Sequence, residues 1–168
     1  MLLAAALLGA CAAPPLSTDV APWISGRLSL TVAASGQQPA QSISAAFDLR
    51  GNGERGELRL SSPLGLQLAH AQWSAGRSSL NTGGAVRQFD SLDELSRHAL
   101  GEALPLAALP DWLAGRPWPA APLLALTSGF EQLGWRVDLS RRGEGWVTAS
   151  RAAPPALALR VRLDEPAP

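Results

Sequence analysis

The sequence predicts a mainly β domain, with one continuous antiparallel sheet curling round helices inserted mid-chain. Three observations lead there. Apolar and polar residues alternate over several short segments, turn-forming residues separate those segments, and a helical stripe interrupts them mid-chain. The order is strands, helices, strands, whereas a βαβ fold would need regular alternation.

The first strands are the clearest. Leu28, Leu30 and Val32 fall on one face, against Arg27, Ser29 and Thr31 on the other. Ile43, Ala45, Phe47 and Leu49 oppose Ser42, Ser44, Asp48 and Arg50, and Leu58 and Leu60 oppose Glu57, Arg59 and Ser61. Period two with one apolar face is the pattern of antiparallel strands with one wet side. Ser35 to Pro39 and Gly51 to Glu54 supply the turns. Leu66 to Trp73, Ser78 to Thr82 and Ala85 to Phe89 continue the meander less regularly.

Helix follows. Ser91 is a good N-cap, with Asp93 and Glu94 in the first turn, where the helix dipole favours negative charge. Leu92, Leu95, Ala99 and Leu100 form an apolar stripe that Gly101 ends. Leu104 to Leu113 reads as a second helical piece, with Pro110 at the start of its last turn. Residues 116–122 read as loop, and 123–129 suit either state. Strands resume at Leu133: Leu133, Trp135, Val137 and Leu139 alternate with Arg136, Asp138 and Ser140. Trp146 to Ser150 returns after a glycine turn, and Leu157, Leu159, Val161 and Leu163 form a last strand.

The chain's single cysteine, Cys11, closes the run Leu7-Leu8-Gly9-Ala10-Cys11 behind an apolar stretch. A small-residue pair before a lone Cys, after a short apolar segment, reads as the cleavage site of a bacterial lipoprotein signal peptide. Residues 1–10 are too short to span a hydrocarbon core as a helix, which takes roughly 20 residues. An ordinary buried cysteine fits less well, because Cys11 stands beside Pro14 and Pro15 rather than in a periodic element. Residues 11–22 read as the acylated Cys and a proline-bearing tether, and residues 23–168 as one domain. In bacterial lipoproteins, which this segment resembles, an Asp after the Cys favours inner-membrane retention. Ala12 stands there, pointing to the outer membrane.

Composition narrows the chemistry. Formal net charge is zero, so no basic excess attracts a phosphate backbone and nucleic acid is not an expected partner. All fourteen basic residues are Arg, which reads as genomic codon bias. One Cys leaves no disulfide framework. His70 and His98 lack a ligand-spaced partner and read as surface or packing residues. No GxSxG elbow, HExxH or phosphate-binding loop occurs. Gly51 to Gly56 matches GxGxxG by letters, but precedes a strand and opens no helix, so it reads as a turn. Asp90, Asp93 and Glu94 are accounted for by capping. No catalytic residue and no metal ligand is predicted.

Leu64 stands apart. Pro63 presets φ for a turn and Gly65 permits positive φ, which puts Leu64 at the tip of a tight connection. There it either folds back on the sheet or protrudes.

Trp23 to Leu28, Leu60 to Gly65, Leu104 to Leu106, Trp112 to Gly115 and Gln132 to Trp135, in that order behind Cys11, resemble the LolB family of outer-membrane lipoproteins. Ser-Pro-Leu-Gly at 62–65 and the Trp112 to Pro117 run carry most of the resemblance, which spans about residues 23–163. The proline-rich 116–130 segment and the carboxyl end depart from the family's pattern. The resemblance implies an unclosed, strongly curved β half-barrel with a helical lid over an apolar cavity. It implies a non-enzymatic monomer facing the periplasm, one that takes lipoproteins from a LolA-like carrier and inserts them into the inner leaflet of the outer membrane. No cofactor is implied beyond covalent N-acyl and S-diacylglycerol groups on Cys11. Leu64 would enter the membrane. Leu28, Leu30, Ile43, Phe47, Leu58, Leu60 and Trp73, with Trp112 and Leu113 from the lid, would line the acyl-chain cavity, although an inward Leu on a curled sheet is also ordinary core. Rival readings are an anchored lipoprotein that binds another apolar ligand or acts as a scaffold, and a lipid-acting hydrolase, which would need a polar dyad in the cavity.

Overall fold

The computed structural model describes residues 21–37 and 39–164. The expected signal segment, Cys11 and nearly all of the tether therefore lie outside the described residues. Six strands come first: β1 (Ile24–Val32), β2 (Gln41–Gly51), β3 (Gly56–Ser61), β4 (Gln67–Ser74), β5 (Arg77–Asn81) and β6 (Arg87–Phe89). Helices α1 (Leu92–Leu100) and α2 (Leu109–Leu113) follow. A second meander completes the fold: β7 (Leu123–Leu126), β8 (Gly129–Gln132), β9 (Trp135–Asp138), β10 (Trp146–Arg151) and β11 (Leu157–Leu163).

All eleven strands form one sheet in the order β6-β5-β4-β3-β2-β1-β11-β10-β9-β8-β7. Each neighbouring pair is antiparallel. β6 and β7 are unpaired edges, so the sheet does not close. The two meanders join where β1 pairs with β11. There Leu28 stands opposite both Ala45 and Val161, and Leu30 opposite both Ile43 and Leu159. This register stacks the inward residues of three strands in apolar rows. The outward rows hold Ser29 beside Ser44 and Arg160. A one-residue slip would reverse both faces, and burial of the apolar face forbids it. Side chains from both meanders and both helices meet in one core.

The helical insertion follows its local chemistry. Ser91 Oγ accepts from the Glu94 N–H at 3.1 Å, and Glu94 Oε2 accepts from the Asp90 N–H at 3.1 Å. Gly101 adopts φ 77° and returns its N–H to the Arg97 carbonyl, which ends α1. The second helical piece is shorter than the apolar spacing predicts. Only Leu109–Leu113 is α-helical, while Leu104 to Ala108 forms turns closed by the Ala108 N–H on the Pro105 carbonyl. Pro105 and Pro110 lack the N–H groups a longer helix would need, and Pro110 sits in the first turn, where that loss is tolerated.

Two further segments differ from expectation. The alternation places Leu133 in a strand, but Leu133 and Gly134 form the turn between β8 and β9, with φ 56° and 75°. Two positive φ values in a two-residue hairpin loop are the type I′ geometry, which normally calls for Asn-Gly. With Leu in the first place, the turn signal is hidden in an apolar pattern. Leu123 to Leu126 resolves as the edge strand β7, with Leu123 and Leu124 exposed. The GxGxxG letters form the β2–β3 turn, where Asn52 Oδ1 accepts from the N–H groups of Glu54 and Arg55 at 2.9 and 3.0 Å.

Candidate functional site: an apolar cavity and an exposed hairpin

Between the inner face of β1–β4 and β11 and the helical segment lies a cavity of about 90 Å³. Because five strands send side chains into one space beneath α1, the sheet wraps round it. Leu28 and Leu30 of β1, Ile43 and Phe47 of β2, Leu58 and Leu60 of β3, and Leu113 of α2 stand in its wall. Leu49, Ala69, Ala71, Leu159 and Val161 join them from the sheet. Leu95, Ala99 and Leu100 of α1, with Leu104, Leu106 and Leu109, form the cover. Their signals were the same strand alternation and helical stripe; what the sequence lacks is the pairing that brings β11 against β1.

The cavity is apolar throughout. Its one polar lining side chain, Ser96, is fully buried. Its hydroxyl donates to the Asp93 carbonyl at 3.1 Å and accepts from the Leu104 N–H at 3.0 Å. Both bonds tie α1 to the following turn and leave nothing polar aimed inward. The segments flanking α1 are fastened to the sheet at two further places. Ser78 Oγ on β5 donates to the Ser91 carbonyl at 2.9 Å, and Arg151 at the end of β10 meets Glu102 at 2.9 Å. Among the described residues no group of three or more His, Cys, Asp or Glu is placed to hold a metal ion.

Two expected lining residues stand elsewhere. Trp73 is buried, but its indole N–H donates to the Asn52 carbonyl at 2.8 Å, which pulls it toward the β2–β3 turn. Gly56 lies opposite it in register, and any Cβ there would overlap the ring. Trp112 packs edge-on against Phe130, with ring centroids 6.3 Å apart at 63°, and against Trp135 at 6.3 Å, in the core beneath β8 and β9. Both indoles carry an N–H that needs an acceptor, and the cavity wall offers none.

Leu64 protrudes. It is 96% exposed at the tip of the β3–β4 hairpin. The Gly65 N–H bonds the Ser62 carbonyl at 2.9 Å, and Gly65 takes φ 81°, the left-handed position of a three-residue hairpin loop. Ser62 and Leu66 close the loop, with the Ser62 N–H on the Leu66 carbonyl and the Leu66 N–H on Ser62 Oγ. At this exposure Leu64 does not fold back on the sheet.

Glu57 organises the outer surface of the same strands. Burial alone would raise its carboxyl, but the Gln72 hydrogen bond, the Arg59 and Arg50 guanidiniums and His70 together hold it below the ordinary range. Arg59 and Arg50 lie 2.8 and 3.1 Å from it. His70 Nε2 stands 3.5 Å from Glu57, and His98 packs on Phe89.

Comparison with known proteins agrees with this architecture. The family model described as outer membrane lipoprotein LolB matches residues 24–164. Outer-membrane lipoprotein LolB of Bordetella petrii is 34% identical over 96% of this chain and 88% of its own length. LolB of Chromobacterium violaceum is 33% identical over 70% of this chain and 63% of its own length. That of Dechloromonas aromatica is 29% identical over 97% and 87%. An open antiparallel sheet, an apolar cavity under inserted helices and a Pro-Leu-Gly hairpin tip thus coincide with a match over the whole described chain, and the chain belongs to the LolB family of outer-membrane lipoproteins.

Proposed function

We propose that this protein receives lipoproteins from a LolA-like periplasmic carrier, shelters their acyl chains in the cavity, and releases them into the inner leaflet of the outer membrane. It works as a monomer held by acyl groups on Cys11, and it performs no covalent chemistry. The carrying observation is the all-apolar cavity under a cover fastened by a few polar contacts. Each methylene hidden from water is worth about 0.8 kcal/mol, so acyl chains cross the periplasm only between apolar enclosures.

At about 90 Å³ the cavity holds the liquid volume of roughly three water molecules. Acyl chains therefore need α1 and the 104–113 segment to move away from the sheet. Non-polar contacts between cover and sheet are exchanged for contacts with lipid as a chain enters, while the polar ties of Ser78, Arg151 and Trp112 resist the opening. Delivery reverses the exchange at the bilayer, where Leu64 makes the contact.

The test is a two-step transfer assay with a carrier loaded with an acylated lipoprotein. Ala69→Phe, which fills the cavity from β4, should reduce acceptance at least tenfold in a folded protein. Leu64→Glu should accept normally and fail to deliver to vesicles. Normal acceptance by the first variant would remove the cavity from the mechanism, and normal delivery by the second would remove the hairpin.

A further inference from the structure

We propose that Arg151 is a polar subsite at the edge of the apolar cavity. It holds Glu102 while the cover is closed, and takes the ester carbonyls of a client's S-diacylglyceryl cysteine once the cover opens. This rests on the acceptance role proposed above and names the part of the ligand that an apolar wall leaves unserved.

Alternation makes Arg151 an anomaly. Val147, Ala149 and Arg151 hold successive inward positions on β10, and the first two are buried. In register they face Val161, Leu159 and Leu157 of β11, all buried. An apolar residue is expected at the third place, and an arginine stands there. Its guanidinium carbon lies 5.9 Å from the ring centroid of Trp135, itself in the core, so the side chain lies against the core instead of reaching out to solvent. Only 19% of the side chain is exposed.

The position borders the cavity. Leu159 stands in the cavity wall, two residues and about 7 Å along β11 from Leu157. Glu102, the carboxylate partner of Arg151 at 2.9 Å, falls between Leu100 and Leu104, both also in the wall. The ion pair therefore joins sheet to cover where α1 stops. Opening separates it, because Glu102 moves with Leu100 and Leu104.

The donors of Arg151 are incompletely used even when the cover is closed. A guanidinium has five N–H donors and no acceptor. Among the described residues Arg151 donates from Nη2 alone, to Glu102 at 2.9 Å and to the Pro155 carbonyl at 3.3 Å. Its Nε is buried without a partner, which is exceptional for a buried donor. Departure of Glu102 frees a further donor. Vacant donors beside an apolar wall fit a ligand that is hydrocarbon with acceptors at one end. A diacylglyceryl cysteine has that form: its chains suit the wall, and its two ester carbonyls accept and never donate. Without a donor, those carbonyls would leave water uncompensated as the chains enter. An uncharged acceptor is also readily returned to water, so Glu102 can reclaim Arg151 after delivery.

The experiment uses the full chain with Cys11→Ala, so that its own acyl groups do not compete. The probe is a dansyl-labelled tetrapeptide whose N-terminal cysteine carries N-palmitoyl and S-dipalmitoylglyceryl groups. Its analogue has hexadecyl ethers in place of the two glyceryl esters. The ester probe should bind about tenfold more tightly, the size of one hydrogen bond to a charged group. Arg151→Met should bind both probes as the unchanged chain binds the ether, which also shows that its cavity is intact. Glu102→Gln should bind the ester probe about threefold more tightly than the unchanged chain and keep the discrimination, since a half-exposed ion pair no longer competes. Equal affinity for the two probes in the chain unchanged at 151, or discrimination that survives Arg151→Met, would overturn the subsite and leave the cavity reading intact. Binding of neither probe would overturn both. Displacement of the ester probe by an equal concentration of dipalmitoylphosphatidylglycerol would assign the carbonyl site to membrane phospholipid and overturn the client assignment.

Discussion

The indole N–H of Trp112 donates to Gln132 Oε1 at 2.9 Å, and this contact fastens α2 to β8. The same oxygen accepts the Trp118 N–H at 2.9 Å, while Gln132 Nε2 donates to the carbonyls of Trp118 and Ala121 at 2.8 and 2.9 Å. Every donor and acceptor of the carboxamide is used in a side chain that is 2% exposed. The proline-rich 116–122 loop, which has no ladder of its own, thereby has three backbone groups, two of Trp118 and one of Ala121, satisfied by a single residue.

Replacing Gln132 with Leu keeps the volume and strips four partners at once. Each buried group left unpaired costs roughly 1–3 kcal/mol, with partial relief by water, so a loss of about 3 kcal/mol is expected. Urea unfolding should show the midpoint falling by roughly 1–2 M with an unchanged slope. A midpoint equal to that of the parent would mean that the loop holds itself.

The Glu57 cluster predicts an acid-sensitive contribution. Its carboxyl is held below the ordinary value, so the folded state favours the charged form. That stabilisation is complete above the unfolded value of about 4.3 and disappears as pH falls through the lower folded value. Glu57→Gln should therefore be less stable than the parent near neutrality. The gap should close progressively below about pH 4. A gap that stays constant on acidification would show that shape rather than charge is what Glu57 supplies.

Anchor and transfer should be separable, because the cavity and hairpin are assembled wholly within the sheet and helices. A chain carrying Cys11→Ala and exported to the periplasm is expected to accept lipoprotein from the carrier and to deliver it with poorer membrane selectivity. Fractionation of inner and outer membranes, with a labelled client, measures this. Complete failure to accept would place the acyl groups inside the mechanism.

Much of the site is legible because its residues follow local rules. Leu28, Leu30, Phe47 and Leu58 sit inward through simple alternation, and Leu64 is exposed because Pro63 and Gly65 build the turn beneath it. Trp73 and Trp112 were misplaced for one shared reason: size and apolarity suggested a cavity wall, and the need of each indole N–H for an acceptor decided otherwise. Leu133 misled because an apolar residue occupies a turn position that requires positive φ.

By itself the sequence determined the strand faces, the capped helix between Ser91 and Gly101 and the hairpin tip, since each depends on residues within a few positions of one another. Tertiary structure alone decided that β11 pairs with β1, that Leu159 and Val161 complete a cavity with α1, and that Trp23 lies against Arg50 and Arg59 of β2 and β3. Those facts join segments far apart along the chain. Alternation says only which side of a strand is apolar. Which strands meet depends on how the two meanders together bury the largest apolar surface beneath one short pair of helices.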